Sequence, residues 1–247
     1  MSKLPTILEM LQSGVHFGHR LSKQYPKMSP YIFGQKNGIN IINLEKTQIK
    51  LEEAYKFVKE LASNGGTILF LGTKKQAQSI IKEHANKCGM PYIDQRWLGG
   101  TFTNYDTISK VIKKYNELVD KQKKGELEKY TKKEQSKFKK EIEKLEILVH
   151  GVKDLKKVPD AVYIVDLKKE KTALREANKR GIPIVAICDA NTNPEQVTYP
   201  IPGNDDATKA INLITGVMAQ AVEEGKSQIK AQPAKVEVSK SKSKSSK

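Results

Sequence analysis

Cysteine is almost missing from this chain: Cys88 and Cys188 are the two in 247 residues, a hundred positions apart and in no CxxC pair. That excludes a disulfide framework or a zinc knuckle and fits a reducing, cytosol-like compartment. Long apolar runs are missing too. None approaches the roughly 18 residues that a membrane-crossing helix needs. The opening "MSKLPTILEMLQSG" has one lysine and a broken apolar pattern, where an export signal carries a basic segment ahead of an uninterrupted apolar one. Glycine-rich phosphate loops are lacking as well. There is no GxxxxGK[ST] and no GxGxxG, and the "GKS" at 225–227 has Gln220 where the first glycine belongs, after a helical pattern and not a strand. Acidic residues are the minority, 28 against 44 Lys and Arg, and the net charge of +16 draws polyanions such as nucleic acid or an acidic membrane surface.

What is present alternates. "GINIINL" (38–44), "TILFLG" (67–72), "DAVYIVD" (160–166) and "IPIVAICD" (182–189) read as strands, and "PYIDQ" (91–95) as a short fifth. Apolar residues on consecutive positions mean burial on both faces, the mark of parallel strands covered on two sides. Between them Leu51, Ala54, Tyr55, Val58, Leu61 and Ala62 keep helical spacing, as do Ala77, Ile80, Ile81 and Ala85. The predicted fold is α/β, a parallel, five-stranded, doubly wound sheet with helices on both faces.

Between 105 and 150 no strand pattern occurs. Apolar residues fall at 108, 112, 115 and 119, then at 138, 142, 145, 149 and 152, a heptad seam flanked by Lys and Glu. Two such runs predict an inserted antiparallel coiled-coil hairpin about 30 Å long at 1.5 Å per residue. Residues 1–104 and 151–225 then form one discontinuous RNA-binding α/β domain, and 226–247, rich in Ser and Lys, a disordered basic tail. The basic excess sits in the first hundred residues, with 14 basic against 7 acidic side chains over 1–104, and in the tail, with 7 against 1.

Candidate sites follow the carboxyl edge of the strands, where open α/β sheets bind ligands. In "LFLGTKKQAQ" Thr73 with Gln76 has capping-box spacing, which puts Lys74 and Lys75 in a helix first turn. Lysines there are disfavoured unless an anion sits among them, so the pair predicts a phosphate contact. "RWLGGTFTN" (96–104) emerges at the same edge and offers Arg96 and Trp97, with Thr103 and Asp106 as a second cap. "HFGHRLSKQYPKMSPYIFGQKNG" (16–38) interleaves His16, His19, Arg20, Lys23, Lys27 and Lys36 with aromatic residues, an irregular segment suited to lie on RNA. The two histidines lack a third ligand nearby in sequence, so no metal and no cofactor is assigned to them. Asp166 and Asp189 end strands and Asp205 and Asp206 follow Asn204. Carboxylates so placed suit a divalent ion in a phosphoryl-transfer enzyme, but Asn204 reads as a helix cap with both aspartates in the first turn, where negative charge is stabilising.

Taken together, "HFGHR", "PKMSPYIFGQKNGINIINL", "LFLGTKKQAQ", "RWLGGTFTN", "PDAVYIVD", "GIPIVAICDANTNP" and "YPIPGNDDA" resemble the bacterial-type small-subunit ribosomal protein S2 family, in the same order from His16 to Ala207. The resemblance implies a five-stranded parallel sheet with a projecting coiled-coil hairpin. It also implies a non-enzymatic role on the solvent side of the small subunit, bridging head and body. The implied partners are 16S rRNA, neighbouring small-subunit proteins and the large mRNA-binding ribosomal protein built of OB-fold repeats, with no membrane. The implied compartment is the bacterial cytoplasm or an organelle. A free-standing nucleic-acid-binding protein and a magnesium-dependent enzyme using Asp166 and Asp189 are the competing readings.

Overall fold

The computed structural model describes residues 4–231. Its chain order is α1 (Ile7–Gln12), β1 (Phe17–Arg20), β2 (Ile32–Lys36), β3 (Ile39–Ile42), α2 (Leu44–Ser63), β4 (Ile68–Leu71), α3 (Lys75–Cys88) and β5 (Tyr92–Ile93). Then come α4 (Tyr105–Lys123), α5 (Lys132–Val149), β6 (Ala161–Ile164), α6 (Lys171–Arg180), β7 (Ile184–Cys188), β8 (Tyr199–Pro202) and α7 (Thr208–Ala231).

A five-stranded parallel sheet runs β5-β4-β6-β7-β8. Its strands alternate between two cores with the period of two that a pleat imposes. Ile68, Phe70, Tyr163, Val165, Val185 and Ile187 face one side, among the apolar faces of α2, α3 and α7. Leu69, Leu71, Val162, Ile164, Ile184 and Ala186 face the other, with α6, Trp97, Phe102 and residues of α4 and α5. Leu51, Ala54, Tyr55 and Val58 of α2 are all buried, as the helical spacing predicts. Tyr163 of β6, fully buried, shares a 3.0 Å hydrogen bond between its hydroxyl and that of Thr215 on α7.

Three expectations need correction. The segment 38–44 does not join the parallel sheet. Residues 39–42 are the centre of a separate antiparallel ribbon, β1-β3-β2, so the stretch 16–38 holds two strands joined by two short 3-10 helices, Leu21–Lys23 and Pro26–Tyr31, and is not irregular chain throughout. The β2–β3 turn is Asn37–Gly38 with φ of 51° and 72°, the two positive values that a tight hairpin turn requires. The fifth strand of the parallel sheet is Tyr199–Pro202, in which Pro200 and Pro202 mask the pattern; β8 lies at the sheet edge, where a residue without an N–H is tolerated. Residues 226–231 of the expected tail belong to α7, which continues to Ala231, and the Lys226 ammonium donates to the carbonyls of Cys88 (2.7 Å) and Gly89 (2.9 Å). The remainder of that tail, 232–247, lies outside the described residues.

The run 105–150 does form two helices. They pack chiefly on each other, with Ile112, Tyr115 and Ile142 buried and Lys114 paired with Glu141. At the base, Ile108 and Val149 join the second core of the sheet.

Candidate nucleic-acid interface

The carboxyl edge of the sheet gathers Lys74, Lys75, His19 and the loop of Arg96 and Trp97, and it sorts them into two kinds. The N-cap of α3 is Lys74 and not Thr73, so one lysine and not two stands in the helical first turn. Thr73 is diverted by tertiary structure: its backbone N–H and hydroxyl both donate to the buried carboxylate of Glu170, whose pKa burial raises. Lys74 then turns inward. Its ammonium lies 3.2 Å from Asp166 Oδ2, 3.0 Å from Asp205 Oδ1 and 2.6 Å from Asp206 Oδ1. The anion that a lysine at a helix start calls for is therefore supplied by the protein, from the ends of β6 and β8. Burial alone lowers an ammonium pKa, but here Asp205, Asp206 and Asp166 outweigh it and hold Lys74 above the usual lysine range. Lys75, next in sequence, is exposed.

Each aspartate is placed by its local backbone. Asp166 adopts φ 68°, a left-handed conformation that Asp tolerates better than most residues, and its Oδ1 accepts from Lys169 N at 3.0 Å. Asn204 Oδ1 accepts from the backbone of Asp206 (2.8 Å) and Ala207 (3.1 Å), the predicted cap bonds, yet α7 opens only at Thr208. Asp205 is thus in a capped turn ahead of the helix and is buried. Burial, with the neighbouring Asp189 and Asp166, pushes its carboxyl up to about 7 against the opposing pull of Lys74.

The ribbon docks onto this cluster through His19. Its backbone N–H donates to Asp189 Oδ1 (3.0 Å) and its Nδ1 lies 2.9 Å from Asp189 Oδ2, a hydrogen bond that, against the cost of burial, raises its pKa. Gly18 permits the approach: a Cβ there stands 3.1 Å from Asn40 O and 3.2 Å from Ala190 Cβ. His19, Asp189, Asp205 and Asp206 present ligand atoms within 4.8 Å of one another, a grouping that could hold a divalent cation. The distant carboxylates are the ligands that nearby sequence does not supply to the histidine.

Other candidates divide likewise. Trp97 is buried, edge-on to Phe102 with ring centres 4.9 Å apart, and its indole N–H donates to Glu176 Oε1 at 3.2 Å, so its face is not free for a base. Glu176 on α6 also accepts from the backbones of Gly100 (2.8 Å), Phe102 (3.0 Å) and Thr103 (3.3 Å) and from the Thr103 hydroxyl. Thr103 is therefore not a cap; Asn104 precedes α4. Burial raises the Glu176 pKa, but these donors outweigh it and hold it below the usual carboxylate range. His16 is half-buried with its ring 4.0 Å from that of Phe17, and burial lowers its pKa. Lys27 pairs with Glu195.

Arg20, Lys23, Lys36, Lys75 and Arg96 remain exposed, and no carboxylate of the described residues pairs with them. Arg20 and Lys36 both register against Ile39, one on each side of β3, so the ribbon end carries two cations. Gln78 bridges Thr73 O (3.2 Å) and Gln95 Oε1 (3.5 Å), which sets the loop of Arg96 beside the start of α3 and Lys75. No helix among the described residues is long and apolar enough to cross a membrane.

Comparison with known proteins gives a consistent result. A family model described as ribosomal protein S2 matches residues 10–225. The chain is 52% identical over 218 residues to the small ribosomal subunit protein uS2 of Dictyoglomus thermophilum, covering 88% of this chain and 89% of that one. It is 50% identical over 221 residues to the uS2 of Coprothermobacter proteolyticus, covering 90% and 82%.

Proposed function

The chain belongs to the ribosomal protein S2 family, and from that premise we propose that it is a structural constituent of the small ribosomal subunit of bacterial type, seated on 16S rRNA through its ribbon and sheet edge. The observation that carries the RNA contact is the set of exposed, unpaired cations Arg20, Lys23, Lys36, Lys75 and Arg96. Such groups neutralise phosphates at little desolvation cost, whereas Lys74 and Trp97 serve the fold. A binding role is favoured over catalysis because the edge carboxylates are engaged by Lys74 and His19. Docking of the OB-fold-repeat mRNA-binding ribosomal protein is supported by exposed apolar side chains on the ribbon, Phe17 and Phe33. The paired helices α4 and α5, with their largely charged outer faces, supply a further surface for a neighbouring ribosomal protein in the cytoplasmic ribosome.

Sedimentation tests this reading. Purified chain added to small subunits stripped of their own S2 protein should travel with them in a sucrose gradient; a chain that stays at the top of the gradient overturns it.

A further inference from the structure

Beside the edge cluster, a cleft of about 550 Å³ opens between the start of α6 and the loop after β7, and we propose that it takes one unpaired nucleotide of RNA. The inference rests on the reading of the chain as an RNA-binding subunit constituent and adds a base-accepting site to it. Its volume falls within the roughly 300–1,000 Å³ of small-ligand sites. One wall is cationic. Lys171 and Arg175, four apart on α6, lie on one face of the helix with Lys168 just ahead, and no carboxylate of the described residues pairs with any of the three. Three unpaired cations lining one cleft fit a phosphate.

The opposite wall suits a base. Tyr25, the sole aromatic lining residue, is held in place by its backbone N–H, which donates to Ala190 O at 2.8 Å, and its ring is only partly covered. Leu167 and Leu174 give the floor apolar area. An aromatic face over an apolar floor is the arrangement on which a splayed-out base stacks. Asn191, half-buried, also lines the cleft, and its side-chain amide offers polar groups to a base edge. Cations, ring and side-chain amide together select a nucleotide over simple phosphate.

The test titrates isotope-labelled full chain with adenosine and uridine 5′-monophosphates and, separately, with inorganic phosphate at constant ionic strength. Both nucleotides should shift the backbone amide signals of Tyr25, Asn191 and Thr192 saturably, while phosphate moves only those near Lys171 and Arg175. Tyr25→Leu should weaken nucleotide binding about 5- to 100-fold, and Tyr25→Phe should preserve it. Unmoved sheet amides establish that each variant is folded. Identical responses to nucleotide and phosphate, or none in the cleft, overturn the proposal. To identify the source, ultraviolet cross-linking of reassembled small subunits should leave a nucleotide adduct on the tryptic peptide Gln24–Lys27; its absence overturns the assignment to RNA. If the chain enters small subunits yet the cleft stays silent, the cleft inference fails and the subunit reading stands. A chain that does not enter subunits at all defeats the subunit reading itself.

Discussion

Lys74 Nζ stands 3.0 Å from Asp205 Oδ1, a contact between residues 131 positions apart that ties the start of α3 to the turn ahead of α7. From sequence, a lysine at a helix start is an unfavourable charge, and its removal is expected to stabilise the free protein. The contact reverses that sign. Lys74→Gln leaves Asp166, Asp205 and Asp206 facing one another without their ammonium, with His19 3.6 Å from Asp206 as the remaining partner, and breaking a mostly buried pair costs several kcal/mol. We expect a loss of about 2–4 kcal/mol in chemical denaturation, the lower end reflecting the exposure of Asp206. Lys75→Gln should lie within about 0.5 kcal/mol of wild type. A stabilised Lys74→Gln variant contradicts the internal ion cluster.

Glu176 gives an acid-side test. A carboxyl whose folded pKa is depressed adds stability that is complete above its unfolded value, near 4.3, and that is lost as pH falls through the folded value. Glu176→Gln should cost about 2–4 kcal/mol at pH 7, since an amide cannot accept from so many N–H groups at once. The gap between variant and wild type should narrow as pH falls below about 4. A gap that is constant between pH 7 and 3, in urea denaturation at each pH, rules out the ionised carboxylate as the clasp of this loop.

The paired helices should be divisible. Replacing 119–137 by a short turn spares Leu118 and Phe138 and should shift Tm by no more than about 2–4 °C, corresponding to ~1 kcal/mol for a chain of this size. Excising 106–149 removes Ile108, Ile112, Ile142 and Val149 from the second core. At about 2–5 kcal/mol for each large buried side chain lost, that exceeds the marginal stability of a domain, so cooperative unfolding should disappear. A long excision with an intact sheet shows that the base is not part of the core.

Legibility tracked the range of the interaction involved. Strands β4, β6 and β7 were readable because burial on both faces writes itself into consecutive residues, and α2 and α3 because one buried face imposes a helical period. β8 was hidden by two prolines that only an edge position permits. The sheet to which 39–42 belongs was not readable, since an apolar run does not name its neighbour. Among the predicted site residues, Lys74 and Trp97 have partners inside the fold that local sequence does not show. Glu176 bears no local signal, its partners lying 73–79 positions away. Thr73 has correct cap spacing but prefers a carboxylate 97 positions on. Tertiary partners decide which lysine is free, and one sequence does not list them.

The most direct test of the account is the salt dependence of binding to small-subunit RNA. Replacing Arg20, Lys36 and Lys75 together by Gln should reduce the slope of log K against log salt by about 2–3, at about 0.7–0.9 per lost phosphate contact. Lys74→Gln, measured under conditions where it is folded, should leave that slope unchanged. An unaltered slope in the triple variant, or a drop caused by Lys74→Gln alone, contradicts the division between cations that serve the fold and cations that serve the RNA.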